Sequence, residues 1–227
     1  MSASSGPDII TNGLILCLDA ADKQSYSGSG NTWTDISNNG NNGTLTNSPT
    51  YSSANGGAIA LNGVDNYVSF NFANPFAETI IVWARSATTN WNTYGWISSS
   101  RRQNGHIIHT NSVERSVTYY VLDSSVSYSS IGSVTPDDIT IPHMYAYSTN
   151  GSNLHKGYFD GIEVASSSQS ITRTASPSNQ VWYLGQDDTG GRFGNGNIYN
   201  CLRYNRALSA TEVSQNYKVL KGRFLLT

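Results

Sequence analysis

Short apolar segments alternate with turn-forming polar segments along almost the whole chain, and this alternation is typical of an all-β protein. Gly13–Asp19 (GLILCLD) is apolar throughout its centre, so we expect a strand that is covered on both faces. Thr79–Arg85 (TIIVWAR) is rich in β-branched and aromatic residues, which favour strands. The polar stretch from residue 20 to residue 57 is predicted to hold a short strand near residues 44–46, because unstructured loops of that length are uncommon.

The same pattern predicts further strands, and several of them are joined by turns that contain glycine. Asn150-Gly151 and Asp160-Gly161 separate apolar runs, as does Gly63, at points where a tight hairpin requires a positive φ. The runs are residues 58–61, 67–72, 94–99, 106–110, 117–122, 143–147, 154–159, 162–165, 181–184 and 198–204. The sequence therefore predicts an all-β fold, a two-sheet antiparallel sandwich of jelly-roll type.

One short helix is predicted near the C-terminus, over residues 209–220. Ser209 is a natural N-cap, and Glu212 stands three residues later, where its carboxylate can reach back to the capping amide. We expect a single sandwich domain over residues 13–227, preceded by a polar N-terminal arm over residues 1–12 that orders against a partner. The apolar tail, residues 224–227, is expected to pack on the first strand, or alternatively in a neighbouring molecule.

Composition excludes several partners and locations. The net charge is −2 and Arg101-Arg102 is the longest basic run, so nucleic acid is not expected as a partner. Membrane insertion is not expected, because no apolar run approaches the roughly 18 residues that a bilayer requires. The start of the chain (MSASSGPDIITNG) lacks the basic and apolar regions of a secretion signal, so synthesis in the cytoplasm is expected.

The ordered set of motifs resembles a known family. The segments GLILCLDA, GGAIALNGVDNYVSF, TIIVWAR, HMYAYSTNG, GYFDGIEV and YLGQDD occur in this order, and the chain closes on YNRALS followed by the capped helix. This set resembles laminin-G-like domains of the concanavalin A-like lectin and glucanase superfamily. The resemblance implies that the first strand pairs with a late one, so Cys17 and Cys201 could be neighbours; the alternative is two buried free thiols.

The same resemblance implies a possible calcium ion at the rim of the sandwich. Asp65 with Asn66 and Asp187 with Asp188 are the available oxygen clusters, and calcium prefers oxygen ligands. The alternative is structural, since Asp and Asn stabilise turns through their side chains. We otherwise expect no cofactor.

The segment NIYNCLRYNRALSATEVSQNYKVLKGRF, residues 197–224, resembles the ends of sandwich-domain proteins of marine tailed bacteriophages, cyanophages especially. This resemblance implies a non-enzymatic virion structural protein, either a capsid decoration protein or a tail or fibre module. It would lie on the virion surface, with other virion proteins and copies of itself as partners.

No catalytic motif is found in the sequence. Glucanases of the resembled superfamily carry Glu-x-Asp-x-Glu on one strand, whose alternation brings the carboxylates to one face. None of the four glutamates here stands two residues from another carboxylate. His106 and His109 share a predicted strand but differ by three positions, which places them on opposite faces. We therefore do not expect an enzyme.

The alternative function is a carbohydrate-binding module that recognises host glycans. Sugar binding requires an exposed aromatic ring beside hydrogen-bonding side chains. The candidate residues are Trp91, Asn92, Tyr94, Arg101 and Arg102. Trp91 is expected to be the exposed ring of this group, whereas Trp96 is expected to point inward.

Overall fold

In the computed structural model, which describes residues 8–174 and 180–224, the chain forms two stacked antiparallel sheets and a C-terminal helix. The strands of this part of the chain are β1 (Leu14–Asp19), β2 (Thr32–Trp33), β3 (Gly43–Thr46), β4 (Thr50–Ser52), β5 (Ala58–Asn62), β6 (Tyr67–Asn71), β7 (Glu78–Ser86), β8 (Ser98–Ser99), β9 (His106–Thr110), β10 (Val117–Leu122), β11 (Tyr128–Val134), β12 (His143–Thr149), β13 (His155–Phe159), β14 (Ile162–Ser167), β15 (Val181–Leu184), β16 (Gln186–Asp187), β17 (Arg192–Phe193) and β18 (Asn195–Tyr204). The helix α1 spans Ala210–Lys221, and short 3₁₀ turns lie at Ala54–Gly56 and Gly222–Phe224.

Two large sheets make up the sandwich. Sheet A has the order β14-β13-β12-β7-β18-β5-β4, and β1 also pairs with β18. Sheet B has the order β11-β10-β9-β8-β15-β6-β3-β2, and β16 and β17 form a separate hairpin. The predicted all-β, two-sheet antiparallel fold with one short helix is therefore confirmed.

Sheet A is covered on both faces, which explains the unbroken apolar run in β7. Ile80 and Val82 face the core between the sheets, whereas Ile81 and Trp83 face a second apolar layer beneath α1. In that layer the Trp83 ring stacks on Tyr217 at 5.6 Å between ring centroids. A strand buried on both faces is expected to have a nearly continuous apolar run, and residues 80–84 of β7 form one.

The strands of sheet B alternate instead. In β10, Val117, Tyr119 and Val121 are buried in the core, while Thr118 and Tyr120 are partly exposed on the other face. This alternation is what a sheet with one open face requires. The outer face of sheet B is therefore the broad face of the sandwich on which a ligand can lie.

The helix begins as the sequence predicts. The Ser209 side chain accepts a hydrogen bond from the Glu212 amide, and the Glu212 carboxylate accepts one from the Ser209 amide, which completes a capping box. The Arg206 guanidinium also pairs with Glu212 at 2.6 Å. The hydrogen bond from Arg206 lowers the pKa of Glu212 to about 2, although burial acts in the opposite direction.

The two cysteines lie on neighbouring strands without facing each other. The register of β1 and β18 pairs Cys17 with Leu202 and Leu18 with Cys201. The two thiols therefore point to opposite faces of sheet A, Cys17 into the layer under α1 and Cys201 into the central core. The implied pairing of the first strand with a late one is present, and both thiols are free and buried.

The described part of the predicted N-terminal arm contacts the sandwich. Ile9 and Ile10 pack against the apolar layer under α1, and the Ile10 amide donates to Asn216 Oδ1 at 2.9 Å. Residues 8–12 are thus attached to the sandwich, because apolar side chains precede residue 13. Residues 1–7 and 225–227, which complete the predicted arm and tail, lie outside the described residues. No helix of the described chain is long and apolar enough to span a bilayer.

Candidate functional site

Three aromatic side chains lie in a diagonal row on the outer face of sheet B. They are His109 on β9, Tyr120 on β10 and Tyr128 on β11. The register pairs Tyr120 with Ile107 and Leu122 with Tyr128, so each ring is a diagonal neighbour of the next. The ring centroids of His109 and Tyr120 are 5.5 Å apart, and those of Tyr120 and Tyr128 are 5.6 Å apart. Long side chains in contact across strands stabilise a sheet at this spacing.

Tyr94 and two arginines extend the row at its ends. The Tyr94 ring centroid lies 5.5 Å from that of His109. The guanidinium of Arg192 lies 5.0 Å from the Tyr94 centroid, and that of Arg101 lies 5.7 Å from the Tyr128 centroid, both within cation–π range. These groups surround a cleft of about 280 Å³, which we call the aromatic cleft. Its lining residues are Arg101, Ile107, His109, Tyr120, Tyr128, Thr189 and Arg192.

A single buried carboxylate holds both guanidiniums in place. Asp187 Oδ1 accepts from Arg101 Nε at 2.8 Å, and Asp187 Oδ2 accepts from Arg101 Nη2 at 3.1 Å and from Arg192 Nη1 at 2.8 Å. The Asp187 side chain has no exposure, whereas those of Arg101 and Arg192 are 23% and 42% exposed. Asp187 therefore lies beneath the cleft and positions two cations at its surface.

The electrostatics of the cleft keep His109 uncharged near neutral pH. Burial lowers the pKa of His109, Asp187 opposes this shift, and Arg101 and Arg192 add to it. A neutral imidazole presents one donor and one acceptor nitrogen. The cleft thus combines flat apolar rings, hydroxyl groups and two fixed positive charges.

The structure separates the predicted carbohydrate-binding residues. The expectation that Trp91 is the exposed ring is wrong: it is 1% exposed, and its indole N–H donates to the Arg115 carbonyl at 2.9 Å. Trp96 is fully buried, as expected. Arg101 lines the aromatic cleft, and Tyr94 is next to it, in contact with the lining residues His109 and Arg192.

Asn92 and Arg102 lie outside the cleft lining. The Asn92 side chain ties a loop to the β17 end, donating to the Phe193 carbonyl at 2.8 Å and accepting from the Asn195 amide at 2.8 Å. Arg102 is half exposed and pairs with Asp188 at 3.5 Å. Their role in carbohydrate binding stays a prediction.

Most of the cleft was missed by reading the sequence. Of its seven lining residues only Arg101 was predicted; the other six are Ile107, His109, Tyr120, Tyr128, Thr189 and Arg192. The alternation of β9 and β10 was the usable signal for Ile107, His109 and Tyr120, since residues that alternate with core positions face outward. Tyr128 begins a strand, β11, whose sequence YSSIGSV is too polar to be recognised as one.

The two predicted calcium pairs are engaged in other contacts. Both oxygens of Asp187 pair with arginine, and Asp188 Oδ2 accepts from the Arg101 amide at 3.0 Å. Asp65 Oδ1 accepts from Asn62 Nδ2 at 2.8 Å and Asn66 Oδ1 accepts from the Asn62 amide at 3.2 Å, so both stabilise the turn between β5 and β6. Asn66 Nδ2 also donates to the Asn47 carbonyl at 2.7 Å. Across residues 8–174 and 180–224, no three His, Cys, Asp or Glu side chains form a metal-binding group. Calcium binding stays a prediction, one that this geometry does not favour.

A second polar cluster resembles a hydrolytic triad in connectivity but is closed to solvent. Ser98 Oγ lies 2.7 Å from His106 Nε2, and His106 Nδ1 lies 3.4 Å from Glu78 Oε1. All three residues are fully buried, whereas a nucleophile must be reachable by its substrate. His106 and His109 face opposite sides of sheet B, as the spacing predicts.

Comparisons with known proteins identify the fold. No family model and no curated protein matches the sequence. Among solved structures, the botulinum neurotoxin serotype D binding domain is similar at a TM-score of 0.69 and 16% identity, over 92% of this chain and 52% of that chain. Domain 4 of AbnA, a GH43 extracellular arabinanase from Geobacillus stearothermophilus in complex with arabinotriose, is similar at a TM-score of 0.66 and 18% identity, over 90% and 98% of the two chains. Trypanosoma rangeli sialidase in complex with sialic acid gives a TM-score of 0.67 and 14% identity, over 98% of this chain and 35% of that chain. The chain thus spans about half the length of the neurotoxin domain, and these similarities show that it shares the β-sandwich fold.

Proposed function

We propose that this chain is a non-catalytic carbohydrate-binding domain and that the aromatic cleft holds the sugar. One observation carries the proposal: the row formed by Tyr94, His109, Tyr120 and Tyr128 is accessible on an otherwise open sheet face. Sugar rings present an apolar face of C–H groups that packs on aromatic rings, while their hydroxyl groups need hydrogen-bonding partners. The cleft supplies both kinds of group within about 280 Å³, a volume that suits one or two sugar rings.

The solved structures of the same fold support the proposal by analogy. One of them is a complex with arabinotriose, and its compared domain is nearly as long as this chain. Another is described as a binding domain.

Replacing one ring of the row tests the proposal. A glycan array selects the best ligand for the purified protein, and calorimetry then measures its affinity. Tyr120→Ala is expected to weaken binding about tenfold, because a lost ring contact of ~1.4 kcal/mol corresponds to one factor of ten. Tyr51→Ala is the matched control, since Tyr51 is also half-buried but lies on β4 at the edge of sheet A.

Two results would contradict the proposal. If neither the array nor calorimetry at the highest protein concentration shows a bound glycan, the cleft does not bind sugar. Equal losses in Tyr120→Ala and Tyr51→Ala would place the binding site elsewhere. Circular dichroism of each variant shows whether the sandwich is intact.

The resemblance of residues 197–224 to phage proteins favours a second proposal, which is compatible with the first. We infer that the domain is displayed on a virion, where other virion proteins and further copies of this chain are its partners. On a particle surface, a sugar-binding cleft would serve adhesion to host glycans.

A further inference from the structure

We propose that the aromatic cleft selects a saccharide that carries an anionic group, either a carboxylate or a sulfate. This inference rests on the proposed carbohydrate-binding function and names the class of sugar. It follows from the hydrogen-bonding groups that the cleft offers and from those that it does not offer.

The cleft lining presents two guanidiniums and no carboxylate. Arg101 Nη1 and Arg192 Nη2 make no hydrogen bond to the described residues, although both side chains are partly exposed. The one carboxylate in contact with them, Asp187, is fully buried, and both of its oxygens already accept from arginine. The remaining N–H groups are therefore open to acceptors that the solvent or a ligand brings.

This donor set discriminates between neutral and acidic sugars. A hydroxyl group of a neutral sugar is best held by a carboxylate, which accepts its proton, and no lining side chain of the cleft offers one. An arginine pairs most strongly with a carboxylate, sulfate or phosphate oxygen, because both partners are charged and the planar fork can bind two oxygens. Arg101 and Arg192 are fixed by Asp187, so little conformational entropy is lost when they bind an anion.

The net charge around the cleft also favours an anionic ligand. Among residues 8–174 and 180–224, Arg101, Arg102 and Arg192 pair with Asp187 and Asp188, and these five side chains leave one positive charge in excess. His109 adds none near neutral pH, because burial lowers its pKa. The rings of Tyr120 and Tyr128 then hold the sugar beside the charged group.

Matched ligand pairs test the inference. Calorimetry compares an oligouronide with its carboxyl-reduced neutral counterpart, and a sulfated oligosaccharide with its desulfated counterpart, at one fixed ionic strength. In at least one pair the charged member is expected to bind at least tenfold more tightly than the neutral member. The pair that shows the difference identifies the anion as a carboxylate or a sulfate.

The variant Arg192→Gln provides a second test of the inference. Arg192 is the more exposed of the two guanidiniums, and in this variant Asp187 still pairs with Arg101. The variant is expected to lose about tenfold in affinity for the charged member, as one charge-assisted bond is removed, and to lose clearly less affinity for the neutral member. Lys218→Gln is the charge-matched control, since Lys218 is exposed on α1, on the opposite side of the sandwich. It is expected to change neither affinity.

Each contrary result has a separate meaning. Equal affinities within both pairs, with Tyr120→Ala still weakening them, would overturn the anion inference and leave the carbohydrate-binding function standing. Equal losses in Arg192→Gln and Lys218→Gln would also overturn it, because the charge effect would then be unspecific. If no saccharide of any charge binds, the proposed function is wrong and the inference falls with it.

Discussion

Glu78 is a fully buried carboxylate whose charge is balanced by the residues around it. Arg203 Nη2 lies 2.7 Å from Glu78 Oε2, and Arg173 Nη2 lies 3.6 Å from Glu78 Oε1. Burial alone would raise the pKa of Glu78, but Arg203, His106 and Arg173 outweigh it and hold the pKa below its ordinary value. Arg203 and Arg173 also lie near His106, and they oppose the effect of the Glu78 carboxylate, which would favour a protonated imidazole. Burial lowers the pKa of His106 despite the opposing effect of Glu78.

The uncharged state of His106 predicts a loss of stability in mild acid. In the unfolded chain this imidazole takes up a proton near pH 6.5, whereas in the native state it does so only at lower pH. As the pH falls below about 6.5, the unfolded state therefore binds one more proton, and the free energy of unfolding decreases by about 1.4 kcal/mol per pH unit from this residue. Burial lowers the pKa values of His109 and His155 too, so their contributions have the same sign.

Urea unfolding of the wild type and of His106→Gln between pH 7.5 and pH 5 measures this contribution. The variant is expected to be less stable at every pH, because its side chain replaces a ring that lies 5.7 Å from Tyr147 between centroids. Its stability should nevertheless depend less steeply on pH, by about one proton. Parallel curves for the two proteins would show that His106 does not carry this dependence.

At the scale of single residues, the sequence predicted which face of a sheet a side chain lies on better than it predicted whether that side chain is exposed to solvent. The three-residue spacing of His106 and His109 correctly placed them on opposite faces, because alternation is a property of the strand itself. Trp91 was expected to be exposed because Asn and Thr surround it, but a tertiary contact with the Arg115 carbonyl buries it. Asp187 joins Arg101, 86 positions away, and local patterns carry no information about such a contact.

The β16–β17 hairpin is the element on which the cleft depends, because it carries Asp187 and Arg192. It is fixed close to the sheet rather than extending freely from it. The Gly185 amide donates to the Trp96 carbonyl at 2.6 Å, and the Gly194 amide donates to the Gly185 carbonyl at 2.8 Å. A Cβ at Gly194 would lie 2.3 Å from the Trp96 ring, so only glycine allows this approach.

Two glycine-to-alanine substitutions show whether the hairpin requires glycine at one particular position. Gly194→Ala is expected to lower the free energy of unfolding by about 1–3 kcal/mol, the cost of overpacking a buried site, and to weaken ligand binding because the hairpin moves. Gly191→Ala is the matched control, since an added Cβ there meets no atom within 4 Å. Urea unfolding and calorimetry measure both effects. Equal stabilities for the two variants would mean that the hairpin adjusts without cost.

The predicted elements were correct where one face is buried and incomplete where both faces are polar. Strands such as β7, β10 and β12 follow from apolar runs. The strand β11 was not recognised because it lies at the edge of sheet B, where burial of one residue, Ile131, is enough to fix it. The stretch of residues 190–196 is rich in glycine and carries no strand pattern, yet Arg192 and Phe193 within it form β17 and pair with Asp187 and Gln186 of β16. Three of the seven residues that line the cleft lie on β11 and on this hairpin, namely Tyr128, Thr189 and Arg192, which is why the geometry of the cleft could not be predicted.

The whole molecule has a layered arrangement with unlike outer faces. On the side of sheet A, α1, residues 9–10 and Phe224 cover an apolar layer. On the side of sheet B, the outer face carries the aromatic cleft. The described residues nearest both ends of the chain therefore lie on the side opposite the cleft. A domain held to a larger body through that side would turn the cleft outward.

If the domain is displayed on a virion, purified particles should contain this polypeptide with its cleft accessible. Quantitative mass spectrometry of the particles would give a copy number, and a number that matches the capsid lattice would indicate decoration, whereas a few copies would indicate a tail or fibre. Particles should also bind the glycan that the purified protein binds, and particles carrying Tyr120→Ala should bind it less well. Many weak sites on one particle act together, so particle binding should exceed that of the single domain by more than tenfold. Particles without the polypeptide would contradict the virion proposal, and particles that contain it but do not bind the glycan would contradict the outward orientation.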